Sequence, residues 1–378
     1  MLLQSLRGRG VRIALPFACA TAIVAVLAAA VHPLVAQPST PPSTSGPPGF
    51  ERLRKIDVHS HIYEDMPVVN AMLRRINLRV VNISNPGTDG HLDFMHGFNA
   101  TLVKRNPDIF SFASTFDLTT RNEPDYGARI AKALDATFAQ GAVMVKIWKE
   151  VGIELKRPDG GFLLPDDPIL DPVYAHLAAR RKPLLAHLAE PREAWLPLDP
   201  KSVHYGYYSR NPQWHLYGKP EYPSHAQLMD ARDHVLARHP NLVAIGAHLG
   251  SLEYDVDEVA RRLDKYPNFH VEVSARTRDL TRQRSSKVRA FFLKYQDRIL
   301  YGVDRSWRPY RTPEVTPTDA ERAKFAADLE AQYRRDWAYY AGAGPTDYSG
   351  ATVEGLALPH AVLEKFYWKN AERLVGVR

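Results

Sequence analysis

Cysteine is almost absent from this 378-residue chain, and its single thiol belongs to Cys19. Cys19 lies within an apolar N-terminal run, so the remaining sequence contains no thiol. Disulfide bonds therefore do not stabilise the mature chain, although its N-terminus indicates export to an oxidising compartment.

The sequence also lacks a strong excess of one charge. Its formal net charge is +7, and removal of the three arginines near the N-terminus leaves +4. No dense run of Lys and Arg with interleaved aromatic residues occurs, which is the pattern expected of a nucleic-acid interface. We therefore expect no nucleic-acid partner.

The segment 1–37 has the plan of a secretory signal. Its first twelve residues carry three arginines and no acid, and an apolar run extends from Ile13 to about Ala36. Pro16, Pro33 and the small residues at the end of the run favour cleavage. An uncleaved membrane anchor is the alternative, because the run approaches the length of a span. We expect a periplasmic or secreted protein that contacts a membrane only if this segment is retained.

Beyond this segment the composition indicates a linker and then one large domain. Residues 38–52 are rich in Pro, Ser and Thr, which predicts a flexible or extended linker. Residues 53–378 are globular in composition, and their length is one that α/β barrels reach. Within them the long, aromatic-rich segment 188–223 is predicted to be a lid or binding insertion, with simple packing onto the domain as the alternative.

Short apolar runs alternate with amphipathic segments such as Tyr126–Ala139 and Gln227–Arg238. This alternation predicts an α/β fold, specifically a parallel (β/α)8 TIM barrel. A doubly wound open sheet is the alternative, but no run is followed by a Gly-rich phosphate loop. The eight expected strands are Ile56–His59, Leu78–Ile83, Ile109–Thr115, Ala142–Ile147, Pro183–His187, Leu242–His248, Phe269–Val273 and Ile299–Asp304.

The motif Asp57-Val58-His59-Ser60-His61 lies on the first of these strands. Residues at i and i+2 of a strand point to the same face, so two imidazoles project together. His187, His248 and Asp304 each follow a later apolar run, and a barrel brings such strand ends to one rim. One strand-end histidine is ordinarily structural, whereas several that meet a His-x-His pair predict a metal site.

These motifs resemble the amidohydrolase superfamily, specifically its amidohydrolase-2 branch of carboxymuconate-semialdehyde decarboxylase-like enzymes. The resemblance covers about residues 53–378 and implies a metal-dependent (β/α)8 barrel. It implies that a divalent metal, zinc with manganese as the alternative, is held by His59, His61, His187 and Asp304. His248 would be the acid–base or substrate-polarising histidine, and Asp304 would also be catalytic. Asp57 would be a structural group that supports the metal ligands.

Lys146 is the main departure from the mononuclear branch. A buried lysine is costly unless it is paired or neutralised, so an inward lysine on a barrel strand indicates function. It is a candidate carbamylated ligand that bridges two metals, a candidate substrate contact, or a partner of a buried acid. One ion is favoured, with two if Lys146 is carbamylated. Lys149, just beyond it, is expected to be an ordinary rim charge.

Two further residues are candidate substrate contacts at the same rim. Arg276 follows the seventh strand, and its planar guanidinium suits a carboxylate. Trp307 follows Asp304. Packing or surface exposure is the alternative for both residues.

The expected function is an exported metal-dependent hydrolase that uses a metal-activated water on an amide, ester or lactone bond of a small molecule. The alternative reaction is non-oxidative decarboxylation of an aromatic or semialdehyde acid at the same site. A non-catalytic binding protein on an inactive barrel is disfavoured, because no ligand position is lost. The oligomeric state stays open, with a homo-oligomer as one option.

Overall fold

A computed structural model describes residues 49–85 and 91–377. These residues belong to one compact unit. The signal or anchor expected at 1–37 and most of the linker expected at 38–52 lie outside them. Among the residues described, no helix is both long enough and apolar enough to span a membrane.

The core of the domain is one sheet in which sequential strands are parallel neighbours. Its strands are β1 (Lys55–Ile62), β2 (Leu78–Ile83), β3 (Phe110–Ser114), β4 (Ala142–Ile147), β5 (Leu184–Ala186), β6 (Ala244–Gly246), β7 (Phe269–Glu272), β8 (Ile299–Leu300) and β9 (Arg305–Trp307). Their spatial order is β8-β7-β6-β5-β4-β3-β2-β1-β9. All eight expected strands are therefore present, several of them shorter than expected.

The sheet closes on itself through the chain that follows β8. The amide of Val58 donates to the carbonyl of Tyr301 at 3.0 Å, and the amide of Asp304 donates to the carbonyl of His59 at 2.6 Å. The same chain continues into β9, which pairs in parallel with β1. The sheet thus closes into a barrel, and the (β/α)8 barrel prediction is confirmed.

Helices cover the outside of the barrel, and each of the first seven strands is followed by one. They are α1 (Pro67–Arg75), α2 (Leu92–Arg105), α3 (Tyr126–Ala139), α4 (Asp171–Arg180), α5 (His225–Arg238), α6 (Val256–Lys265) and α7 (Ser285–Lys294), and then α8 (Asp319–Ala341), α9 (His360–Glu364) and α10 (Asn370–Val375). A small hairpin, β10 (Pro345–Tyr348) and β11 (Ala351–Glu354), follows α8. The expected helix at 126–139 is confirmed, and the one expected at 227–238 begins two residues earlier.

Alternate residues of β1 to β6 and of β8 face the barrel interior, where the apolar ones form one cluster with the C-terminal residues Ala371 and Val375. The intervening residues, such as Val80 and Val271, face the helices in a separate cluster. Each buried aliphatic side chain contributes about 1.5–3 kcal/mol relative to exposure. The strand members of the inner cluster include Ile56, Val58, Val81, Ile83, Met144, Leu185, Ile245 and Leu300.

A bulge in β1 turns the histidine pair inward. The pairing of β1 with β2 shifts between Asp57 and Ser60, so one extra residue is accommodated there. Ile56 and Val58 belong to the interior cluster below the shift. Above it, the inward positions are His59 and His61, whose ring centroids are 5.4 Å apart.

Candidate metal centre

Three histidines surround the Asp304 carboxylate at the C-terminal end of the strands. Nε2 of His61 lies 3.3 Å from Oδ1 of Asp304, and Nε2 of His59 lies 3.6 Å from the same oxygen. Nε2 of His248 lies 3.8 Å from Oδ2. The structure therefore brings the residues expected from strands one, six and eight to a single point.

The other ring nitrogen of each histidine is held by an acceptor. Nδ1 of His61 contacts the carbonyl of Ile83 at 3.2 Å, and Nδ1 of His248 contacts the carbonyl of Ser274 at 2.8 Å. Nδ1 of His59 contacts the carboxylate of Glu272 at 3.0 Å. Carbonyl and carboxylate oxygens accept, so each Nδ1 donates and each Nε2 keeps its lone pair for the centre.

The charges of the cluster suit a cation at this point. Burial, followed by the charge of Arg308, lowers the pKa of His61 to about 3. Burial, followed by the charge of Arg276, lowers the pKa of His248 to about 3. Burial opposes ionisation of Asp304, but His59, His61 and His248 hold its pKa well below the usual range. Two neutral imidazoles and an ionised carboxylate are the forms in which these side chains bind metal.

His187 lies beside His248 on the strand-five side. Its imidazole lies 4.4 Å from that of His248, measured between ring centroids. Nε2 of His187 is buried, and no described residue offers it a hydrogen bond. A buried polar atom without a partner calls for a ligand, water or ion.

The donor set fits a divalent metal. Two nitrogen or oxygen ligands of one zinc ion lie at most about 4.2 Å apart, since each bond is about 2.1 Å long. The three distances to Asp304 fall within this limit. By the wider limit of 4.8 Å between all donor atoms, the group found among the described residues is His59, His248 and Asp304, without His61 and His187. This geometry does not separate a ligand from an acid–base group, so the roles expected for His187 and His248 stay predictions.

The carboxylate that orients His59 is Glu272, which was not among the expected site residues. Glu272 also accepts from the amide of His248 at 2.9 Å and from the hydroxyl of Ser274 at 2.8 Å. Burial would raise its pKa, but the contacts with His59 and then the charge of His248 lower it to about 2. In the strand Phe269-His270-Val271-Glu272, apolar residues alternate with polar ones that face inward. That alternation was the sequence signal for Glu272.

Asp57 has the structural role expected of it. Its carboxylate accepts from the amides of His59 and Val303, the hydroxyl of Ser60 and the hydroxyl of Tyr333. These bonds tie β1 to the chain after β8 and to α8, behind the barrel wall. Asp57 therefore supports His59 through the backbone.

Lys146 lies inside the cluster and not at its edge. Its side chain is 1% exposed, and Nζ lies 3.2 Å from Nε2 of His59. Among the residues described, no carboxylate forms an ion pair with Lys146. Burial lowers its pKa to about 8. The charges of Asp304 and Glu272 favour the ammonium form without forming an ion pair with it, and the carbamylated and substrate-binding roles stay predictions.

Lys149 is not the rim charge that was expected. It is 2% exposed, pairs with the buried Glu190, and lies 3.6 Å from the ring centroid of Trp214. Tyr208 donates to the second oxygen of Glu190 at 3.1 Å. The prediction for Lys149 was wrong because the insertion 188–223, which carries these partners, folds over it. At this point the insertion packs onto the barrel.

The two expected rim contacts differ in their surroundings. Arg276 is 8% exposed, and its charge lowers the pKa of His248, so it lies beside the cluster. Trp307 packs against Phe325 of α8 and donates from Nε1 to Glu64 at 2.7 Å. These contacts of Trp307 are with the outer layer, and its expected role in substrate binding stays a prediction.

Backbone strain occurs at the same rim. His248, Leu249, Ala275 and Asp304 have φ values of 59°, 59°, 55° and 56°, in the left-handed region. Non-glycine residues there cost roughly 1–3 kcal/mol each and persist where the surrounding structure demands them. Here the strain aims His248 and Asp304 at the centre of the barrel mouth.

The sequence matches the amidohydrolase-2 family model over residues 99–377. Among solved structures, a complex of 2,6-dihydroxybenzoate decarboxylase with 2,6-dihydroxybenzoate superposes with a TM-score of 0.50 at 17% identity, and the match covers 86% of this chain and 99% of that one. No functionally curated protein matches the sequence.

Two other solved structures are similar at slightly lower scores. An uncharacterised TIM-barrel protein from Bordetella bronchiseptica has a TM-score of 0.49 at 15% identity, covering 86% of this chain and 99% of that one. The manganese complex of 5-carboxyvanillate decarboxylase from Novosphingobium aromaticivorans has a TM-score of 0.48 at 13% identity, covering 87% and 97%.

Proposed function

The chain belongs to the amidohydrolase-2 family of metal-dependent enzymes, and we propose that it hydrolyses an amide, ester or lactone bond of a small molecule. The proposed metal is zinc, held by His59, His61, His187 and Asp304. Manganese is the alternative, and one ion is favoured unless Lys146 is carbamylated. Export to the periplasm or beyond is also part of the proposal, and the signal-like sequence of residues 1–37 supports it.

One observation carries the proposal. The side chain of Asp304 is 29% exposed while the imidazoles of His59, His61 and His248 around it are at most 4% exposed. An ionised carboxylate therefore stands at the opening of a histidine-lined site. This is where a water and a substrate carbonyl can reach it from the barrel mouth.

The residues divide the proton transfers between them. A bound divalent metal would supply Lewis-acid polarisation and would acidify water. Asp304, whose pKa is held low, is ionised and accepts a proton from the attacking water. His248 is neutral with Nε2 unprotonated, so it can accept that proton and pass it to the leaving group.

Decarboxylation of an aromatic or semialdehyde acid is the second candidate. The observation that favours it is the ammonium of Lys146, which lies against His59 without a carboxylate partner among the described residues. A substrate carboxylate at the centre would satisfy it. Hydrolysis and decarboxylation would use the same side chains, so identification of the reaction product distinguishes them.

The test is to assay metal-loaded protein for hydrolysis of an amide, ester and lactone panel and for release of carbon dioxide from aromatic acids. We expect hydrolysis, lost by at least a hundredfold in Asp304→Asn and His187→Ala. His234→Ala, which alters an exposed histidine paired with Asp166, is the matched control and should retain full activity. Carbon dioxide release without hydrolysis selects the second candidate. Full activity and full metal content in both site variants contradict the whole proposal.

A further inference from the structure

A cavity with a basic lining lies at the end of the barrel opposite the histidine cluster. Its volume is about 520 Å³, and it is found where β7 and β8 begin, beside the C-terminal helix α10. The ionisable residues that line it are His270, Arg298, Arg373 and Asp297. His270 is the second residue of β7, whereas Glu272, at the other end of this strand, contacts His59. The cavity is therefore separate from the candidate metal centre.

His270 brings an unpartnered imidazole to this cavity. It is 5% exposed, and Nδ1 is buried with no hydrogen bond of normal geometry among the residues described. Burial, and then the charges of Arg298 and Arg373, lower its pKa to about 3, against a smaller opposite effect of the Asn268 carbonyl. A neutral imidazole has one N–H to donate, and a buried polar group without a partner indicates a ligand or water.

Arg298 is held in one orientation and still has a donor available. Its Nε donates to the carbonyl of Phe269 at 2.9 Å, and Nη2 donates to the same carbonyl and, at 2.7 Å, to that of Tyr266. Within the described chain, Nη1 has no hydrogen bond. The guanidinium is thus fixed before a ligand arrives, which reduces the entropy lost on binding.

Arg373 reaches the cavity from α10. Its Nη2 donates to the carbonyl of Asp297 at 2.6 Å, and its other two nitrogens have no hydrogen bond among the described residues. The carboxylate of Asp297 is not available to either arginine as a counter-ion, because it pairs with Lys365 at 2.9 Å. In the part of the chain that the structure describes, no carboxylate forms an ion pair with Arg298 or Arg373.

The two arginines act on each other as like charges. Burial, and then the charge of Arg373, lower the pKa of Arg298, and Asp264 opposes this from a distance. Asp264 itself pairs with Lys294 at 3.0 Å. Two neighbouring guanidinium groups without an acid repel each other, and a bound anion would relieve that repulsion.

We propose that this cavity binds a tetrahedral oxyanion with two negative charges, phosphate or sulfate. Arg298 and Arg373 supply the opposite charges, and His270 supplies a further N–H donor. Guanidinium groups bind such oxyanions through charge-assisted hydrogen bonds, often in pairs. The bound anion joins α10 to the barrel strands and therefore stabilises the folded chain. This inference does not depend on the reaction proposed above.

The test is titration calorimetry of zinc-loaded protein at neutral pH with inorganic phosphate, sulfate and acetate. Phosphate, sulfate or both should bind at least tenfold more tightly than acetate. Arg373→Met and His270→Phe should each weaken binding of that dianion at least tenfold, and Arg373→Lys should restore part of it. Arg278→Met, which alters an exposed arginine outside the cavity, is the matched control and should bind like the wild type.

Phosphate and sulfate also bind zinc, so a second variant separates this cavity from the metal centre. Asp304→Asn should hold little zinc and yet bind the dianion with wild-type affinity. The dianion should raise the melting temperature of the wild type and of Asp304→Asn, and should raise that of Arg373→Met much less.

Several results would overturn the inference. Equal affinities for the dianions and acetate would do so, as would no binding of any of the three. Loss of binding in Asp304→Asn would place the anion on the metal, and a loss in Arg373→Met no greater than in the control would exclude the cavity. Melting temperatures without ligand separate lost binding from misfolding. Arg373 is exposed, so its variants keep the test valid if His270→Phe does not fold.

Discussion

Buried polar groups behind the barrel wall differ from those at the barrel mouth. Behind the wall, the carboxylate of Asp336 of α8 accepts from the hydroxyls of Tyr301 and Tyr348 at 2.9 and 2.5 Å, while the neutral hydroxyls of Tyr339 and Tyr367 have no partner among the described residues. At the mouth, buried nitrogens of Arg276, Arg308 and His187 have no partner among the described residues. The difference lies in charge: the buried carboxylate behind the wall has its hydrogen-bond donors, whereas the open groups at the mouth are basic nitrogens beside the Asp304 carboxylate, and such groups indicate a ligand there.

Two lysines near the end of β4 show this contrast at its sharpest. Lys146 and Lys149 are three residues apart and almost equally buried. Lys149 has Glu190 as a counter-ion and an aromatic ring beneath it. Within the described chain, the one hydrogen bond of Lys146 is with the imidazole of His59, and the charges of Asp304 and Glu272 act on it without an ion pair. We infer that Lys149 stabilises the fold and that Lys146 takes part in substrate binding or the reaction.

The largest effect should come from Lys149→Met. It leaves the carboxylate of Glu190, 3% exposed, without its counter-ion, and should lower the free energy of unfolding by about 3–5 kcal/mol. Urea denaturation measures this. The double variant Lys149→Met with Glu190→Gln should recover most of the loss, because no buried charge remains. A single variant within about 1 kcal/mol of the wild type would break the comparison.

The next effect is a pH dependence behind the wall. Burial raises the pKa of Asp336 to about 6. Between about pH 4 and 6 the folded chain retains a proton on Asp336 that the unfolded chain has lost, so the contribution of Asp336 to stability is greatest below pH 4 and is lost as pH rises through 6. The change is up to about 3 kcal/mol.

Asp336→Asn cannot titrate, so it removes this contribution. The difference in unfolding free energy between wild type and Asp336→Asn should therefore shift by that amount between pH 4 and 7. Denaturant titrations at several pH values measure it. Parallel stability curves for the two proteins would show that Asp336 is ionised throughout.

The smallest effect on stability should come from Lys146→Met. Removal of a buried cation that lacks a carboxylate partner also removes its desolvation cost, so unfolding free energy should stay within about 1 kcal/mol or rise. Activity should nevertheless fall at least tenfold. A loss of stability as large as that of Lys149→Met, with activity retained, would reverse the roles assigned to the two lysines.

The fold was accessible from sequence because its signals are local. Each strand is a short apolar run, and the alternation with helices is regular, as for β2 and α3. The strand-end positions of His59, His61, His187, His248 and Asp304 followed from the same pattern, because a barrel brings all strand ends to one rim.

What sequence missed depends on contacts between distant segments. To predict Glu272, one must know which residues of β7 face the barrel interior. A strand of four residues is too short to show that alternation clearly. The burial of Lys149 depends on the insertion that folds back over it, and its partner Glu190 is 41 positions away in sequence. The position of Arg308 near the site depends on the chain after β8, which returns beside β1. In each case the partner or its absence is a property of the closed barrel and not of the local sequence.

The most direct test is the metal content of purified wild-type protein, measured by elemental analysis beside Asp304→Asn. We expect about one divalent ion per chain in the wild type, or two if Lys146 is carbamylated, and little in the variant. An active wild-type protein free of metal would contradict the claim that the unpartnered nitrogens at the barrel mouth bind a metal and its substrate.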